Sequence, residues 1–214
     1  MPAAAPAARA GGDTAEAGRR IGGVMMQTIP RTGGWVEVVC GPMFSGKSEE
    51  LLRRLTRAVI ATQRVELVRP ASDTRHDADE LVTHAGRRMT AHRTSDLDWI
   101  RDLDVEVLGL DEIQFFPLGI LDVVDEMAAR GVRVVCSGLD MDYRRQPWPV
   151  IQTLLSRAEF IDKLQAVCLC CGGPATLSQR LEADGSPAPA AGSTIEIGSG
   201  ERYEARCRAC HEVS

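Results

Sequence analysis

A chain of 214 residues with 44% apolar residues is long enough for one full domain, or for one domain with a small appendage. Its net charge of −5 argues against a global basic field of the kind that attracts nucleic acid, although a local basic groove stays compatible with it. No apolar run approaches the roughly 18 residues of a membrane span, and the N-terminal stretch lacks the sustained apolar core of a secretory signal. We therefore expect a cytoplasmic protein that binds neither membranes nor nucleic acid.

The N-terminal region is rich in alanine, glycine and proline, with almost no bulky apolar residue before Ile21. Such a segment buries too little surface to offset the entropy lost on ordering it, so residues 1–34 are predicted to be a disordered extension. An alternative interpretation is that translation begins at Met25 or Met26. Order is expected to start near Trp35.

From Trp35 onward, predicted strands and helices alternate. Apolar, β-branched runs predict strands at residues 35–40, 65–68, 105–110 and 132–136. Helical spacing predicts one helix from the stripe Leu51, Leu52, Leu55 and Val59, and another over 120–127 that ends at Gly131. The arginines of the first helix, Arg53, Arg54 and Arg57, are expected to form a solvated face. This alternation is typical of a parallel sheet covered by helices on both faces, so the predicted fold class is α/β.

After about residue 165 the strand-like pieces become short and glycines become frequent. A segment rich in proline, alanine and glycine, residues 185–192, separates two pairs of cysteines. We interpret residues 166–214 as a small β-rich lobe with a mobile tip, and residues 35–165 as the larger α/β domain.

The first predicted strand runs directly into GPMFSGKS, a complete GxxxxGK[ST] motif, and a predicted helix follows. Small residues let backbone N–H groups turn inward around phosphate oxygens, and the helix presents its positive N-terminus to them. In such a loop Lys47 reaches the β- and γ-phosphates, and the Ser48 hydroxyl ligates Mg²⁺. The strand and helix on either side favour a true phosphate-binding loop over a chance match. The predicted ATP-binding loop comprises Gly41, Pro42, Met43, Phe44, Ser45, Gly46, Lys47 and Ser48.

An acid pair, Asp111-Glu112, ends the predicted strand at 105–110. A phosphate-binding loop requires a carboxylate at the end of a neighbouring strand to hold Mg²⁺, and Asp111 fits that position. Glu112 would then lie near the γ-phosphate, where it would activate water in an ATPase or take a proton from an attacking hydroxyl in a kinase. The alternative is that the pair simply begins a helix, since acidic residues suit helix N-termini.

Seven cysteines are present, and four of them form two CxxC pairs. Without a secretion signal, metal binding explains the pairs better than disulfides or buried free thiols. Four thiolates at this spacing suit a closed tetrahedral Zn²⁺ site, which is structural rather than catalytic. Two alternatives stay open, namely that Cys170 competes with Cys171 or that His211 replaces Cys210. The predicted zinc ligands are Cys168, Cys171, Cys207 and Cys210.

These motifs, in this order on one short chain, resemble those of the type II thymidine kinases. The resemblance covers about residues 35–211. Its motifs are GPMFSGKS at 41–48, DTR at 73–75, DEIQFF at 111–116, GLDMDYR at 138–144, PATLSQR at 174–180, and a glycine-containing segment that ends in Tyr203 before the last cysteine pair.

The resemblance implies a homotetrameric cytosolic enzyme that transfers the γ-phosphoryl group of ATP to the 5′-hydroxyl of thymidine. It implies that Glu112 is the general base, that Asp111 holds Mg²⁺ through water, and that Gln114 orders the site. It also implies that Asp73, Thr74 and Arg75 lie near the triphosphate, and that a loop at 194–198 binds the thymine edge through backbone groups. The implied nucleoside-binding residues are Leu139, Tyr143, Phe115, Ser178, Thr194, Ile195, Glu196, Ile197, Gly198 and Tyr203.

Three positions depart from the expected family pattern. Tyr143 stands where a phenylalanine often stacks on the base, so the ring face is kept while the hydroxyl needs a partner. Trp148 replaces a common phenylalanine, and Ser178 replaces a threonine near the thymine methyl group. These changes bear on fine specificity rather than on the reaction. Phe116, in contrast, is expected to be a core residue.

Two other classes of protein share parts of this pattern. A P-loop ATPase whose zinc ribbon binds nucleic acid is disfavoured by the acidic charge, because the arginines near the last cysteines alternate with Glu201 and Glu204. A nucleotide-binding regulator without turnover is disfavoured by the intact set of Lys47, Ser48 and the acid pair.

Overall fold

The computed structural model of this protein describes residues 33–73, 80–82, 86, 88–191 and 202–213. Within these residues the strands are β1 (Trp35–Cys40), β2 (Val65–Pro70), β3 (Glu80–Val82), β4 (Arg88–Thr90), β5 (His92–Thr94), β6 (Val107–Leu110), β7 (Arg133–Gly138), β8 (Phe160–Lys163), β9 (Ala166–Val167), β10 (Pro174–Ala175), β11 (Leu177–Leu181) and β12 (Arg202–Arg206). The α-helices are α1 (Lys47–Ile60), α2 (Leu97–Arg101), α3 (Ile120–Ala129) and α4 (Pro149–Arg157). The four predicted strands and both predicted helices are confirmed, with shifted ends.

A six-stranded sheet in the order β5-β2-β6-β7-β1-β8 forms the centre of the fold. Each strand pairs with its neighbours in parallel, which confirms the predicted α/β class. One detail of the prediction is wrong. The strand that ends in the acid pair, β6, is not the neighbour of β1, because β7 lies between them.

Residues of α1 cover one face of the sheet. Gly46 precedes the helix with φ of 84°, a left-handed conformation that suits glycine. Leu51, Leu52 and Leu55 are buried against alternate residues of the strands, as predicted. Val59 is not part of this contact, since its side chain is 51% exposed and Ala58 is buried in its place.

Arg54 is also buried, which corrects the prediction that it belongs to a solvated arginine face on α1, whereas Arg53 and Arg57 are exposed as predicted. Its guanidinium donates hydrogen bonds to Glu50 (2.8 Å), to Glu37 of β1 (2.7 Å) and to Asp162 of β8. Glu37 in turn accepts from Arg133 of β7 at 2.6 Å. A buried charge requires such pairing, because desolvation without a partner costs several kcal/mol. The network links α1 to three adjacent strands.

Helices α3 and α4 cover the opposite face, where the larger core lies. Cys40 and Cys136 belong to this core and are fully buried. Burial raises the pKa of Cys40 to about 11 and raises that of Cys136 further, so both thiols stay protonated and unreactive at neutral pH. Phe116 is buried here as well, which confirms its predicted place in the core.

Beyond β8 the chain forms two small antiparallel pairs, β9 with β10 and β11 with β12. A third pair, β3 with β4, lies between β2 and β5 in the sequence. Across the described part of the chain, no helix combines the length and the apolar character needed to cross a membrane.

Candidate active site

The GPMFSGKS segment forms the turn that joins β1 to α1 at the carboxyl edge of the sheet. Gly41 has φ of 147°, and a β-carbon at this position would meet the carbonyl oxygen of Leu164 at 2.6 Å. Phe44 adopts φ of 64°, an unusual conformation for a residue with a side chain, and is 55% exposed. Strain of this kind is typical of ligand-binding loops.

Side chains of the loop fold back on its own backbone. The Ser45 hydroxyl and the Lys47 ammonium group each donate a hydrogen bond to the carbonyl oxygen of Pro42, both at 2.8 Å. Lys47 is buried, so its charge points into the loop and not into bulk solvent. The loop therefore presents a concentrated positive potential beside the N-terminus of α1, which is the potential that a triphosphate needs.

Ser48, in the first turn of α1, reaches the carboxylate of Asp111 at the end of β6, although β7 lies between β1 and β6. The hydroxyl lies 3.1 and 3.3 Å from the two carboxylate oxygens. Burial raises the pKa of Asp111, and the adjacent charge of Glu112 raises it further. A divalent cation would relieve both effects, and a hydroxyl beside a carboxylate is a donor set that suits Mg²⁺. The residues present thus fit a magnesium ion.

Glu112 has φ of 49° and ψ of 41°, a left-handed conformation for a residue that is not glycine. Its carboxylate accepts a hydrogen bond from the amide nitrogen of Gln114. The amide oxygen of Gln114 accepts from the backbone N–H of Leu139 at 3.0 Å. Gln114 therefore ties the end of β6 to the end of β7, and it holds Glu112 in a defined orientation.

Tyr143 is buried, and its hydroxyl donates a hydrogen bond to the carbonyl oxygen of Pro189 at 3.0 Å. This is the partner that a tyrosine at this position requires. The guanidinium of Arg180 lies over the ring at 4.9 Å from its centroid, and that of Arg144 lies at 5.5 Å. Two cations against one aromatic ring fix the ring's position.

Ser178 connects β11 to the phosphate-binding loop. Its hydroxyl accepts a hydrogen bond from the backbone N–H of Met43 at 3.0 Å. Tyr203 lies opposite Arg180 in the β11–β12 pair, so it belongs to the same small sheet. Phe115 packs edge-on against Trp148 with ring centroids 5.6 Å apart. Strand β11 therefore brings the C-terminal part of the chain into direct contact with the loop.

The predicted triphosphate segment is only partly described. Asp73 is buried and forms an ion pair with Arg69 of β2, a residue that the sequence analysis missed. Arg69 is itself buried, and its Nε and Nη1 atoms have no partner among the described residues. A charged residue at the end of an apolar strand was the available signal. The predicted site residues Thr74, Arg75, Thr194, Ile195, Glu196, Ile197 and Gly198 lie outside the described residues.

The four predicted zinc ligands come together. Their Sγ atoms all lie within 4.8 Å of one another, and those of Cys171 and Cys207 are 3.7 Å apart. Tetrahedral Zn²⁺ with bonds of about 2.3 Å places sulfur atoms about 3.8 Å apart. The cluster therefore has the dimensions of a closed zinc site.

The two open alternatives for zinc lie outside this cluster. Cys170 is exposed and contacts Arg206. His211 is buried, and its ring nitrogens face Arg145 and the carbonyl oxygen of Ser178. Neither residue belongs to the group of four thiols.

A phosphate-binding loop at the carboxyl edge of a parallel sheet, with a serine and a buried aspartate in contact beside it, defines a nucleotide-binding protein of the P-loop class. A sequence model of the thymidine kinase family matches residues 34–211, and the chain belongs to this family. Membership makes the chain a nucleoside kinase, with ATP as the implied phosphoryl donor. Among solved structures, the chain is similar to the flagellar accessory protein FlaH from Methanocaldococcus jannaschii, with 11% sequence identity, a TM-score of 0.44, and coverage of 67% of this chain and 76% of that chain.

Proposed function

We propose that the protein transfers the γ-phosphoryl group of ATP to the 5′-hydroxyl of thymidine, giving dTMP. The observation that carries this proposal is the contact of Ser48 with Asp111 at 3.1 Å, in a chain of the thymidine kinase family. That contact joins the end of the phosphate-binding loop to the acid pair. Glu112 follows Asp111 directly in sequence, and we propose that the phosphoryl acceptor approaches beside it.

The loop from Gly41 to Ser48 binds the triphosphate. Its backbone N–H groups and the N-terminus of α1 hold the phosphate oxygens. Lys47 turns from the carbonyl oxygen of Pro42 to the transferring group, since a phosphate oxygen is a stronger acceptor than a carbonyl. Ser48 and Asp111 would hold Mg²⁺, which would supply positive charge to neutralise the triphosphate during transfer.

Glu112 acts as the general base. Its carboxylate accepts the proton of the 5′-hydroxyl as the oxygen attacks phosphorus. Gln114 donates to this carboxylate and so orients the base that faces the nucleoside. We expect this orientation to contribute more to the rate than the charge of the carboxylate alone. The fold already holds the base in position, so little further entropy is lost on reaching the transition state.

The nucleoside lies beside the contact of the phosphate-binding loop with β11. Leu139, Phe115 and Tyr143 supply apolar and aromatic surface, and Ser178 lies beside Met43 near the thymine methyl group. Residues 194–198 and Tyr203 complete the pocket, with hydrogen bonds from backbone groups to the thymine edge. Asp73, Thr74 and Arg75 serve the ATP side.

Zn²⁺ in the four-cysteine cluster has a structural role in this proposal. The four cysteines would hold the ion, which would fix Cys171 and Cys207, at the two ends of the intervening segment, close to each other. We further propose a homotetramer in the cytoplasm, with no membrane or nucleic-acid partner. These statements rest on family membership and on the acidic charge of the chain.

The test is an ATP-dependent phosphorylation assay over a panel of nucleosides, with the variant Glu112→Gln as the key comparison. Glutamine keeps the shape of the side chain but is no base, so kcat for thymidine should fall by about two to four decades. Binding of both substrates, measured by calorimetry, should stay within about threefold. Normal turnover by Glu112→Gln would remove the assigned base, and absence of thymidine phosphorylation in the wild type would remove the proposed function.

A further inference from the structure

His211 lies at a junction of three parts of the molecule. It follows Cys210 of the four-cysteine cluster directly in sequence, and its side chain is only 5% exposed. Its Nε2 atom is 3.3 Å from the carbonyl oxygen of Ser178 in β11. Its Nδ1 atom accepts a hydrogen bond from Nε of Arg145 at 3.1 Å.

The contact with Arg145 has two hydrogen bonds. Besides the bond to the ring, Nη2 of Arg145 donates to the backbone carbonyl oxygen of His211 at 2.9 Å. Arginine is always protonated, so Nδ1 of the histidine is an acceptor without a proton and Nε2 carries the hydrogen. That hydrogen points to Ser178. One guanidinium thus fixes both the ring and the backbone of His211.

Arg145 belongs to a rigid turn that follows Leu139 and Tyr143. Oδ1 of Asp142 accepts from the backbone N–H groups of Arg144 and Gln146, both at 2.8 Å. Arg145 itself has φ of 65°, so the turn presents its side chain in one unusual direction. The direction is toward the residue that follows the last cysteine.

Ser178 contacts both His211 and the phosphate-binding loop. Its carbonyl oxygen faces His211, while its hydroxyl accepts from the backbone N–H of Met43. Glu212, the next residue after His211, also exchanges two hydrogen bonds of 2.8 Å with the side chain of Gln179. The segment after the cysteines is therefore fixed against β11 over consecutive residues.

We propose that Arg145 and His211 are positioning residues that couple the four-cysteine cluster to the nucleoside site. Together they hold the turn after Tyr143 against Ser178 of β11, and so set the width of the pocket between them. The inference rests on the proposed function, since it assigns the nucleoside to this pocket. The phosphate-binding loop has further anchors in β1 and α1, so ATP binding depends less on the pair.

The test compares Arg145→Met with His211→Leu in the full chain loaded with zinc. Each variant should raise KM for thymidine about tenfold, while kcat and KM for ATP stay within about threefold. The double variant should raise KM for thymidine by less than the product of the two single effects, because the hydrogen bond between Arg145 and the His211 ring is lost in both single variants. Arg157→Met is the matched control, since Arg157 forms an exposed ion pair with Asp125 on α3, and it should behave as the wild type.

His211→Asn distinguishes loss of the hydrogen bond with Arg145 from general misfolding of the variant. Its side-chain oxygen can take the place of Nδ1 and accept from Arg145, so it should recover most of the loss seen in His211→Leu. Zinc content, measured on the same samples, should stay at the wild-type level in all variants. Additive effects in the double variant, or equal rises of both KM values, would overturn the proposal.

The two proposals fail in different ways. If the wild type does not phosphorylate thymidine, the proposed function fails before any variant is measured. If the wild type does and the variants match it, only the coupling by Arg145 and His211 is wrong.

Discussion

Gly138 ends β7, and the side-chain oxygen of Gln114 occupies the space that a β-carbon would need. Gly138→Ala should push the Gln114 amide away from Leu139 and release Glu112. We expect kcat to fall about tenfold, because the base loses its orientation, with a loss of only about 1 kcal/mol in the free energy of unfolding. Steady-state kinetics and urea denaturation measure the two effects.

Gly119 supplies the control for that substitution. It precedes α3 with φ of −59°, which alanine adopts readily, and a β-carbon there meets only Leu97 at 3.0 Å. Gly119→Ala should leave kcat unchanged. An unchanged kcat in Gly138→Ala as well would mean that the Gln114 contact does not control the base.

Arg54 and Arg53 are adjacent residues of α1 with opposite environments. The side chain of Arg54 is 10% exposed and pairs with three carboxylates, while that of Arg53 is 45% exposed and pairs with Glu50. Arg54→Met should lower the free energy of unfolding by about 3 kcal/mol, because Glu37 stays buried with one cation fewer. Arg53→Met should change it by no more than about 0.5 kcal/mol. Urea denaturation measures both losses. Similar losses in the two variants would contradict the claim that burial determines how much each arginine contributes to stability.

Glu37 connects three secondary-structure elements. It links β1 to α1 through Arg54 and to β7 through Arg133. Burial alone would raise the pKa of Glu37, but hydrogen bonds from Arg133 and Trp35 outweigh it and hold the pKa below the ordinary value of 4.5. A carboxyl group with a lowered pKa stabilises the fold above the ordinary pKa, and this contribution is lost as pH falls through the lower folded value.

Glu37→Gln should therefore destabilise the protein by about 2–4 kcal/mol at neutral pH. The difference from the wild type should shrink below pH 4.5. Denaturation midpoints over a pH series measure this. Glu126→Gln removes an exposed carboxylate paired with Arg101 and should cost little throughout the series. A constant difference between Glu37→Gln and the wild type at all pH values would refute the linkage.

The elements differ in how much of them the sequence predicts. β1, α1, α3 and β7 carry long apolar runs or stripes, so their periodicity is visible. β8 has only four residues, two apolar ones followed by two charged ones, and it joins the sheet beside β1, which lies far away in sequence. Local periodicity does not indicate such a pairing. β5 and α2 are too short to show a periodic pattern at all.

The same limit applies to the candidate site. The phosphate-binding loop and the acid pair are contiguous motifs, so the sequence predicts them directly. The order of the strands is a property of the whole sheet, which is why the position of β7 between β1 and β6 was not predicted. Arg54 was assigned to solvent because its partners Glu37 and Asp162 are distant in sequence, although an acid inside the apolar run of β1 was a signal.

At the scale of the whole molecule, the C-terminal strands form two antiparallel pairs around a small apolar core. The buried cluster that includes Cys168, Ala175 and Ala205 is small, so the lobe has little apolar surface to stabilise it. Small β-rich units of this kind depend on a metal for their stability. We therefore expect the four cysteines to control the stability of the β9–β10 and β11–β12 pairs.

Cys207→Ser and Cys170→Ser test this dependence, because one thiol belongs to the cluster of four and the other is an exposed thiol outside it. Cys207→Ser should lose bound zinc and weaken thymidine binding about tenfold. Without zinc, the segment between the two cysteine pairs loses conformational entropy each time thymidine binds, and this cost lowers the affinity. ATP binding should change less, because the phosphate-binding loop is held by β1 and α1. Cys170→Ser should keep its zinc and its affinity for both substrates.

Metal analysis and calorimetry on the same samples measure these effects. Loss of zinc from Cys170→Ser would mean that Cys170 is a ligand. Equal weakening of ATP and thymidine in Cys207→Ser would show instead that the cluster stabilises the whole fold and not the nucleoside side alone.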